Sequence, residues 1–325
     1  MSTHTRLNEV FKSAKVIPFN DSSKFILFSD CHRGDGSWAD DFAHNQALFF
    51  HALRHYYREG FVYIEIGDGD ELFENRSFEE IRQAHNDVFE LLRDFHNEKR
   101  LHLIWGNHDL VRRNPKTVAK DLHWYYDERK GKTLPLLRGI EVREGLLLKY
   151  EPTHDQIFLV HGHQGEFFND SLWWLSRFLV RYFWKPLQSF GFNDPTRPAK
   201  NFRKRHKREK AIEAWIKSRD NQMTICGHTH RSMFPSLGMP LYFNAGSCVH
   251  PRCITGIEIQ DGSITLIKWY VGLGEDEIEG SALRVEKQVL AGPVSLWDFF
   301  EHRRQKHFLP KTETSSNNGK QNQLF

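Results

Sequence analysis

Cysteine is scarce in this sequence, with four among 325 residues and no C-x-x-C pair. A small domain held by disulfides needs many more, so that class is excluded. The first 30 residues lack a basic segment followed by an apolar run, the pattern of a signal peptide. No charge-free apolar stretch reaches the roughly 18 residues of a transmembrane helix. The sequence therefore predicts a cytoplasmic protein.

A strong excess of one charge is also missing. The 45 lysines and arginines against 42 acidic residues give a net charge of +3, so electrostatics do not make nucleic acid the default partner. Hydrophobic residues make up 39% and aromatic residues 14% of the chain, which excludes a mainly disordered protein. Histidine is abundant, with 19 copies. Histidine is the commonest metal ligand, although a histidine-rich surface would give the same total.

Short apolar runs rich in β-branched and aromatic residues recur along the chain, most of them followed by a polar or glycine-containing loop. These predicted strands lie at 24–29, 61–66, 101–105, 156–160, 222–226, 241–245, 254–259 and 263–271. Between the first three, the stretches 41–59 and 77–97 have apolar residues at helical spacing. Asp261-Gly262 predicts a hairpin between the last two strands. The order predicts an α/β fold of layered mixed sheets with outer helices.

Two segments differ in composition from this pattern. Residues 164–219 lie between two predicted strands and are expected to form a helical insertion. Its first part has many aromatic residues, and its second part contains a dense basic run at 203–208. Residues 309–325 are polar and predict a disordered tail. The remaining chain, 1–308 with the insertion inside it, is expected to form a single domain.

Five of the predicted strands are followed by aspartate, asparagine or histidine, either directly or after one glycine. The five motifs are Asp30-Cys31-His32, Gly67-Asp68-Gly69-Asp70-Glu71, Gly106-Asn107-His108-Asp109, His161-Gly162-His163 and Gly227-His228-Thr229-His230. In open α/β sheets, ligands bind beyond the carboxyl ends of the strands, so these side chains are expected to converge. Residues two apart on an extended backbone point to the same side, so Asp30 and His32 can face one metal. The same holds for His228 and His230.

The motifs also carry expectations about the local backbone. Cys31 and Thr229 lie between paired ligands and are expected to point away from a metal. The glycines before Asp68, Asn107 and His228 are expected to allow a sharp turn after each strand. The segment 244–247 follows another predicted strand and is expected to support one of the ligand histidines.

This set of motifs resembles the calcineurin-like metallophosphoesterase superfamily, whose motifs are D-x-H, G-D, G-N-H-D/E, H and G-H-x-H in that order. All of them occur between residues 30 and 230. Each is weak alone, but five in order, each after a strand, are specific. The resemblance implies a four-layer α/β/β/α sandwich. It also implies a metal-dependent phosphohydrolase that cleaves a phosphate ester or pyrophosphate bond with a metal-bridging hydroxide.

Position in the motifs implies a role for each residue. One metal ion would be held by Asp30, His32 and His230, the second by Asn107, His161 and His228, and both by Asp68. Imidazole and carboxylate ligands suit Mn, Fe or Zn, of which Mn is favoured here. His108 would act on the leaving oxygen, and Glu71 would orient it. Arg33 is expected to contact substrate, and Asp70 has no assigned role. His163 is expected either to contact substrate, in place of the acidic residue of some relatives, or to lie behind the metal ligands.

Within the superfamily, the UDP-2,3-diacylglucosamine hydrolases, which cleave a lipid-linked pyrophosphate, are closest in pattern. They share Asp68-x-x-Glu71-Leu-Phe and a helical lid between the H and G-H-x-H motifs. The resemblance implies that the aromatic residues of 167–190 hold an acyl chain or rest at the inner membrane face. The sequence departs from those enzymes at His108, where they typically have arginine, and at His163, where they have an acidic residue.

Three alternatives remain open. A DNA nuclease shares the G-N-H-D motif and could contact phosphates through the basic run 203–210, although the net charge of +3 argues against nucleic acid. A soluble nucleotide or protein phosphatase would use the same metal ligands. A non-catalytic scaffold would keep the fold for protein contacts and would show neither metal nor turnover.

Overall fold

A computed structural model describes residues 2–165, 202–276 and 280–308, and the structural statements below concern these ranges. The strands are β1 Lys15–Phe19, β2 Phe25–Phe28, β3 Val62–Ile66, β4 Leu101–Ile104, β5 Trp124–Asp127, β6 Lys132–Pro135, β7 Val142–Arg143, β8 Gly145–Tyr150, β9 Gln156–Val160, β10 Thr224–Cys226, β11 Tyr242–Asn244, β12 Cys253–Gln260, β13 Ser263–Asp276 and β14 Gly280–Ser295. The helices are α1 Thr3–Ser13, α2 Gln46–Arg58, α3 Phe78–Ala84, α4 Asn86–Asn97, α5 Pro115–Leu122, α6 Phe202–Ser218 and α7 Leu296–Phe308.

Two large sheets form the centre of the molecule. The larger has the strand order β14-β13-β12-β2-β3-β4-β7, and the smaller has the order β1-β8-β9-β10-β11. Strands β2, β3 and β4 are parallel neighbours, and so are β9, β10 and β11. Parallel neighbours require a crossover connection, and α2 and α4 provide it in the larger sheet. All five motif-bearing strands therefore belong to these two parallel sets.

The hydrophobic core has three layers. Between the two sheets lie side chains from both of them, including Leu27, Ile64, Leu148 and Leu159. Apolar residues of α2, α3, α4 and α5 cover the outer face of the larger sheet. Helices α1 and α6 cover the outer face of the smaller sheet, where Trp215 is completely buried. The fold is thus a mixed α/β sandwich with four layers, α/β/β/α, as predicted.

The helical spacing of 77–97 corresponds to two helices rather than one. Helices α3 and α4 meet at His85, whose backbone is not helical (φ −118°, ψ 36°). The His85 ring is completely buried, and its Nε2 lies 2.8 Å from Asp40 Oδ2. This polar contact with the loop before α2 depends on tertiary packing, so periodicity alone gave no sign of the break.

The predicted Asp-Gly hairpin is confirmed. Asp261 (φ 49°) and Gly262 (φ 65°) are both left-handed, the combination that suits a tight two-residue turn. Strands β12 and β13 pair antiparallel on either side of it, with Gln260 opposite Ser263. Strand β14 then extends the sheet and has no counterpart among the predicted strands.

The predicted insertion 164–219 is described only in part. Its last portion is helix α6, in agreement with the helical expectation. The aromatic segment 167–190 and the polar segment 309–325 lie outside the described residues. The domain boundaries therefore stay a prediction. No helix within the described ranges is both long and apolar enough to cross a membrane.

Candidate metal centre

The polar residues that follow the five strands come together at one place. Among the described residues, three sets of ligand atoms lie within 4.8 Å of one another: Asp30 with His32 and His230, Asp68 with His161 and His228, and His32 with Glu71 and His108. Asn107 Oδ1 lies 3.2 Å from His161 Nε2. We call Asp30, His32, Asp68, Asn107, His161, His228 and His230 the candidate metal centre.

One half of the centre consists of Asp30, His32 and His230. His230 Nε2 lies 3.1 Å from Asp30 Oδ1 and 3.2 Å from His32 Nε2. His32 Nδ1 lies 2.8 Å from Glu71 Oε2. A carboxylate only accepts, so Nδ1 carries the proton and donates it to Glu71. The lone pair of His32 Nε2 is then directed into the centre, as in a metal-ligating histidine.

The other half has the same design. His161 Nε2 lies 3.1 Å from Asp68 Oδ2, and His161 Nδ1 donates to the carbonyl of Ile66 at 2.8 Å. This second hydrogen bond fixes the tautomer and leaves Nε2 facing Asp68. The His228 ring centroid lies 5.1 Å from that of His161.

The ligand pairs reach the centre by a different backbone geometry from the one predicted. Asp30, His32, Asp68, His228 and His230 have φ between 49° and 67°, the left-handed region, rather than the extended conformation. A non-glycine residue in this region costs on the order of 1–3 kcal/mol and persists where the surrounding structure enforces it. Backbone strain of this kind concentrates at functional sites, and here it falls on five of the seven residues of the centre.

The glycines of the motifs have two different roles. Gly67 is left-handed (φ 76°) and makes the turn that was predicted. Gly106 is not left-handed, and a Cβ atom there would lie 2.2 Å from Asp68 Oδ1. The chain does turn at 107–109, but glycine is needed at Gly106 because the chain passes directly against a buried carboxylate, not because φ is positive.

The charges of the centre fit divalent cations. The Asp30 and Asp68 side chains are at most 2% exposed, and Asp30 Oδ1 has no hydrogen-bond partner with acceptable geometry. Within the described ranges, their only ion-pair partners are histidines. Buried carboxylates without cationic partners are unfavourable. The oxygen and imidazole donors suit Mn, Fe or Zn, so the residues present fit such ions.

The carboxylates of the centre favour positive charge around them. Burial tends to raise the pKa of Asp68, but the charges of His161 and His108 hold it well below the usual range. Burial tends to lower the pKa of His161, but the charges of Asp68 and Asp30 raise it to about 9. For His228, burial and the charges of His161 and Arg208 lower the pKa to about 3. Burial also tends to lower the pKa of His32, but its hydrogen bonds with Asp30 and Glu71 raise it well above the ordinary value. Without a metal, protons on both His161 and His32 thus supply positive charge.

Glu71 contacts two histidines at once. Its Oε1 lies 2.9 Å from His108 Nδ1, and its Oε2 accepts from His32 Nδ1 at 2.8 Å. The His108 backbone N–H donates to Asp68 Oδ1 at 2.8 Å. The His108 side chain keeps 20% of its surface exposed, so the centre opens to solvent beside this ring. The geometry is compatible with the orienting role that the resemblance implied for Glu71.

Arg33 does not face the opening of the centre. Its side chain is 2% exposed. Nη1 and Nη2 donate to the two oxygens of Glu65 at 2.7 and 2.8 Å, and Nε donates to Asp70 Oδ1 at 2.9 Å. The predicted substrate contact is wrong, because the whole guanidinium fork is occupied by buried carboxylates. These contacts also give Asp70 the role that the sequence left unassigned.

His163 is enclosed rather than accessible. It is 1% exposed, and its ring packs 5.3 Å from that of Trp105 and 5.4 Å from that of His161. Among the described residues, its Nδ1 is buried without a hydrogen-bond partner. Of the two roles expected for His163, this position favours the one behind the ligand histidines over a substrate contact.

Residues outside the five motifs hold the centre in place. Asn244 Nδ2 donates to the carbonyl of Gly227 at 2.7 Å, and Ser247 Oγ donates to the carbonyl of Asp30 at 3.1 Å. The supporting role expected for 244–247 is therefore present. Asp109 was not predicted to have a role, yet it accepts from the N–H groups of Gly69 and Gly106. Its place at the end of the G-N-H-D motif was the available signal.

Fold and site together define a class: layered α/β/β/α proteins with two adjacent sets of carboxylate and imidazole ligands at their strand ends. The family model for calcineurin-like phosphoesterases matches residues 23–232. The chain therefore belongs to the calcineurin-like phosphoesterase family. The family and the clustered ligands support divalent metal binding.

A search of curated proteins finds no match for this sequence. Among solved structures, it is similar to Vacuolar Protein Sorting 29 from Cryptosporidium parvum, with 13% identity, a TM-score of 0.32, and coverage of 82% of this chain and 98% of that chain. It is also similar to Chaetomium thermophilum Vps29, with 12% identity, a TM-score of 0.32, and coverage of 84% and 97%. Likeness at this level says nothing of the activity of this chain.

Proposed function

We propose that this protein is a phosphohydrolase that uses two divalent metal ions to cleave a phosphate ester or pyrophosphate bond. The observation that carries the proposal is the position of Asp68. Its Oδ2 lies 3.1 Å from His161 Nε2 and 3.8 Å from His32 Nε2, so one carboxylate oxygen faces both halves of the centre. This is what a residue that bridges two metals requires.

The ligand sets follow from the two halves. Asp30, His32 and His230 would hold one ion, Asn107, His161 and His228 the other, and Asp68 both. Two divalent ions supply Lewis acidity, which makes water a stronger nucleophile at neutral pH and offsets negative charge on the phosphoryl oxygens. Mn is our preferred ion, with Fe and Zn as alternatives that use the same donors.

His108 is the proposed catalytic residue. Its Nδ1 is engaged by Glu71, which leaves Nε2 available at the exposed side of the ring. A proton held at Nε2 can be donated to the leaving oxygen as the ester bond breaks. Glu71 would act by fixing the orientation of His108, while the same carboxylate holds His32.

The finer proposal is a lipid-linked pyrophosphate substrate such as UDP-diacylglucosamine. It is supported by the sequence Asp68-x-x-Glu71-Leu-Phe and by the place of the insertion between His161 and His228. The aromatic residues of 167–190 would hold the acyl chains or contact the inner face of a membrane.

The test of the chemistry is metal content together with hydrolysis of bis-p-nitrophenyl phosphate. The parent is expected to bind metal and turn over. Asp68→Asn is expected to lose both, because both ions share this residue. His108→Ala is expected to keep its metal and to lose about 10²–10⁴-fold in kcat, the usual contribution of an acid–base residue.

His44→Ala is the matched control, because His44 is exposed and outside the centre. It should keep full metal content and turnover. An Asp68→Asn protein with unchanged metal and activity would contradict the assignment. A parent without metal or turnover would favour the non-catalytic scaffold.

The test of the substrate is a panel assayed with Mn²⁺ that contains lipid pyrophosphates, dinucleotides, cyclic nucleotides and single-stranded DNA. Preference for the lipid pyrophosphate supports the finer proposal. Replacement of Trp173, Trp174 and Trp184 by serine should then reduce liposome binding and lipid-substrate turnover while leaving the small ester unaffected. Equal liposome binding and turnover in this variant would rule out the lipid contact.

A further inference from the structure

A second group of buried charges lies next to the metal centre in the chain. We call it the arginine cluster, and it consists of Arg33, Glu65, Asp70 and Arg112. Their side chains are 2%, 5%, 6% and 2% exposed. The two guanidinium groups face these two carboxylates, and Arg112 Nη1 also lies 3.7 Å from Asp121 Oδ2, so the charges of the arginines are balanced without any bound ion.

Asp70 is the residue that joins the two arginines. Its Oδ1 accepts from Arg33 Nε at 2.9 Å, and its Oδ2 accepts from Arg112 Nη2 at 2.7 Å. Nη1 and Nη2 of Arg33 each donate one hydrogen bond to Glu65. Charge-assisted hydrogen bonds of this length are among the strong ones in proteins, and the planar fork fixes their direction.

The cluster connects three segments that carry residues of the centre. We call them the ligand loops: 30–33 after β2, 67–71 after β3 and 106–112 after β4. Each contributes one member of the cluster, namely Arg33, Asp70 and Arg112 in that order. Asp70 therefore bonds to a side chain of each of the other two loops.

Within the described residues, hydrogen bonds from backbone N–H to backbone carbonyl join the first two ligand loops but not the third. The N–H groups of His32 and Arg33 donate to the carbonyls of Asp68 and Gly69 at 2.8 and 3.0 Å. The third loop is attached to the second through side chains, including Arg112 on Asp70. Loss of the Asp70 carboxylate would therefore loosen the third loop most.

The helices outside the larger sheet hold the arginines in place. The Arg112 guanidinium carbon lies 4.6 Å from the ring centroid of Phe78 in α3, and that of Arg33 lies 5.3 Å from the ring of Phe89 in α4. Space around Arg33 is tight, since a Cβ atom on Gly69 would lie 2.7 Å from Arg33 Nη2. The two arginines are thus packed tightly between the ligand loops and the helices α3 and α4.

We propose that Asp70 is a positioning residue that acts with Arg33 and Arg112 to hold the three ligand loops in the geometry that binds metal. It touches neither substrate nor metal and acts through His32, Asp68 and His108. This proposal rests on the proposed function in one respect: the Mn²⁺ affinity measured below requires a metal site, whereas the amide exchange does not.

The test begins with Asp70→Asn, which keeps the shape but turns one acceptor into an N–H₂ donor that faces an arginine. The Mn²⁺ dissociation constant, measured by titration calorimetry on the folded protein, is expected to rise about 10–100-fold, the usual effect of losing an outer-shell contact. The Gly69, Gly106 and His108 amides donate to the Asp68 and Asp109 carboxylates of the second and third ligand loops. Their hydrogen exchange in metal-free protein is expected to become faster.

The control for a general loss of stability is Glu258→Gln. Glu258 is also buried, at 4% exposure, and is paired with Lys287 at 2.9 Å, but it lies on β12 away from the ligand loops. This variant is expected to unfold at a lower temperature and to keep the parental Mn²⁺ affinity and the parental exchange of the three amides.

A double variant, Asp70→Asn with Arg112→Met, removes the unbalanced charge along with its partner. It is expected to regain part of the unfolding temperature lost by Asp70→Asn, whereas its Mn²⁺ affinity stays weak because the loops remain disconnected. Parental affinity and parental amide exchange in the Asp70 variants would overturn the proposal. A parent that binds no Mn²⁺ would overturn the proposed function instead, and amide exchange would still decide for or against the positioning role.

Discussion

The candidate metal centre and the arginine cluster are built from adjacent residues of the same loops, yet they balance buried charge in opposite ways. In the cluster, Asp70 receives one arginine on each oxygen. In the centre, Asp68 and Asp30 are equally buried, but the ion-pair partners described for them are histidines. The difference indicates which carboxylates complete a structural unit and which are placed to receive a cation.

The two regions also differ in how permanent their charges are. Burial tends to raise the pKa of Asp70, and the guanidinium charges of Arg33 and Arg112 lower it below the ordinary value. Arginine stays protonated in proteins, so this balance does not change with conditions. Protons on imidazole exchange for metal ions, so the centre responds to metal while the cluster does not.

The largest expected effect is a loss of stability when the arginine cluster is changed. Asp70→Asn removes the carboxylate that Arg33 and Arg112 share and leaves them the ion pairs with Glu65 and, at 3.7 Å, with Asp121. Breaking a buried pair typically lowers the free energy of unfolding by about 3–5 kcal/mol. The loss should be present with EDTA and larger with excess Mn²⁺, by about 1.4–2.7 kcal/mol for a 10–100-fold weaker affinity, and urea unfolding under both conditions measures it. A loss seen only with Mn²⁺ would mean that Asp70 belongs functionally to the metal centre.

A smaller effect is expected from the metal itself. Mn²⁺ at 100 times its dissociation constant should stabilise the folded parent by about 2.7 kcal/mol relative to EDTA, because the ion binds the folded state. Asp68→Asn should lose this gain, and thermal unfolding with and without Mn²⁺ measures it. An equal gain in Asp68→Asn would show that the ion binds elsewhere.

The smallest expected effect concerns a hydrogen bond that supports the centre from outside the motifs. Ser247→Ala removes the donor to the carbonyl of Asp30 and should lower the free energy of unfolding by about 1 kcal/mol. Ser247 Oγ bonds to the backbone carbonyl of Asp30 and not to its carboxylate, so the variant should keep its metal. Complete metal loss in Ser247→Ala would mean that this contact shapes the centre more than the arginine cluster does.

Much of the site was predictable because its signals are local. Apolar runs placed β2, β3, β4, β9 and β10 within about two residues of their positions, and the polar residue after each strand identified a member of the centre. The partners of the neighbouring side chains were not predictable. Alternation along the chain turns Arg33 to the side opposite His32, but the residues next to Arg33 give no sign of the Glu65 and Asp70 carboxylates that bind it.

The sequence by itself determined the layered α/β class, the order of the ligand motifs and the metal-dependent chemistry they support, because strand patterns and motif residues are read from neighbouring positions. Only the tertiary structure decided that Arg33 and Asp70 belong to a buried balanced cluster while Asp30 and Asp68 face histidines. That division depends on Glu65, Arg112 and the packing of α3 and α4. The partners of a buried charge come from segments far apart in the chain, and folding alone brings them together.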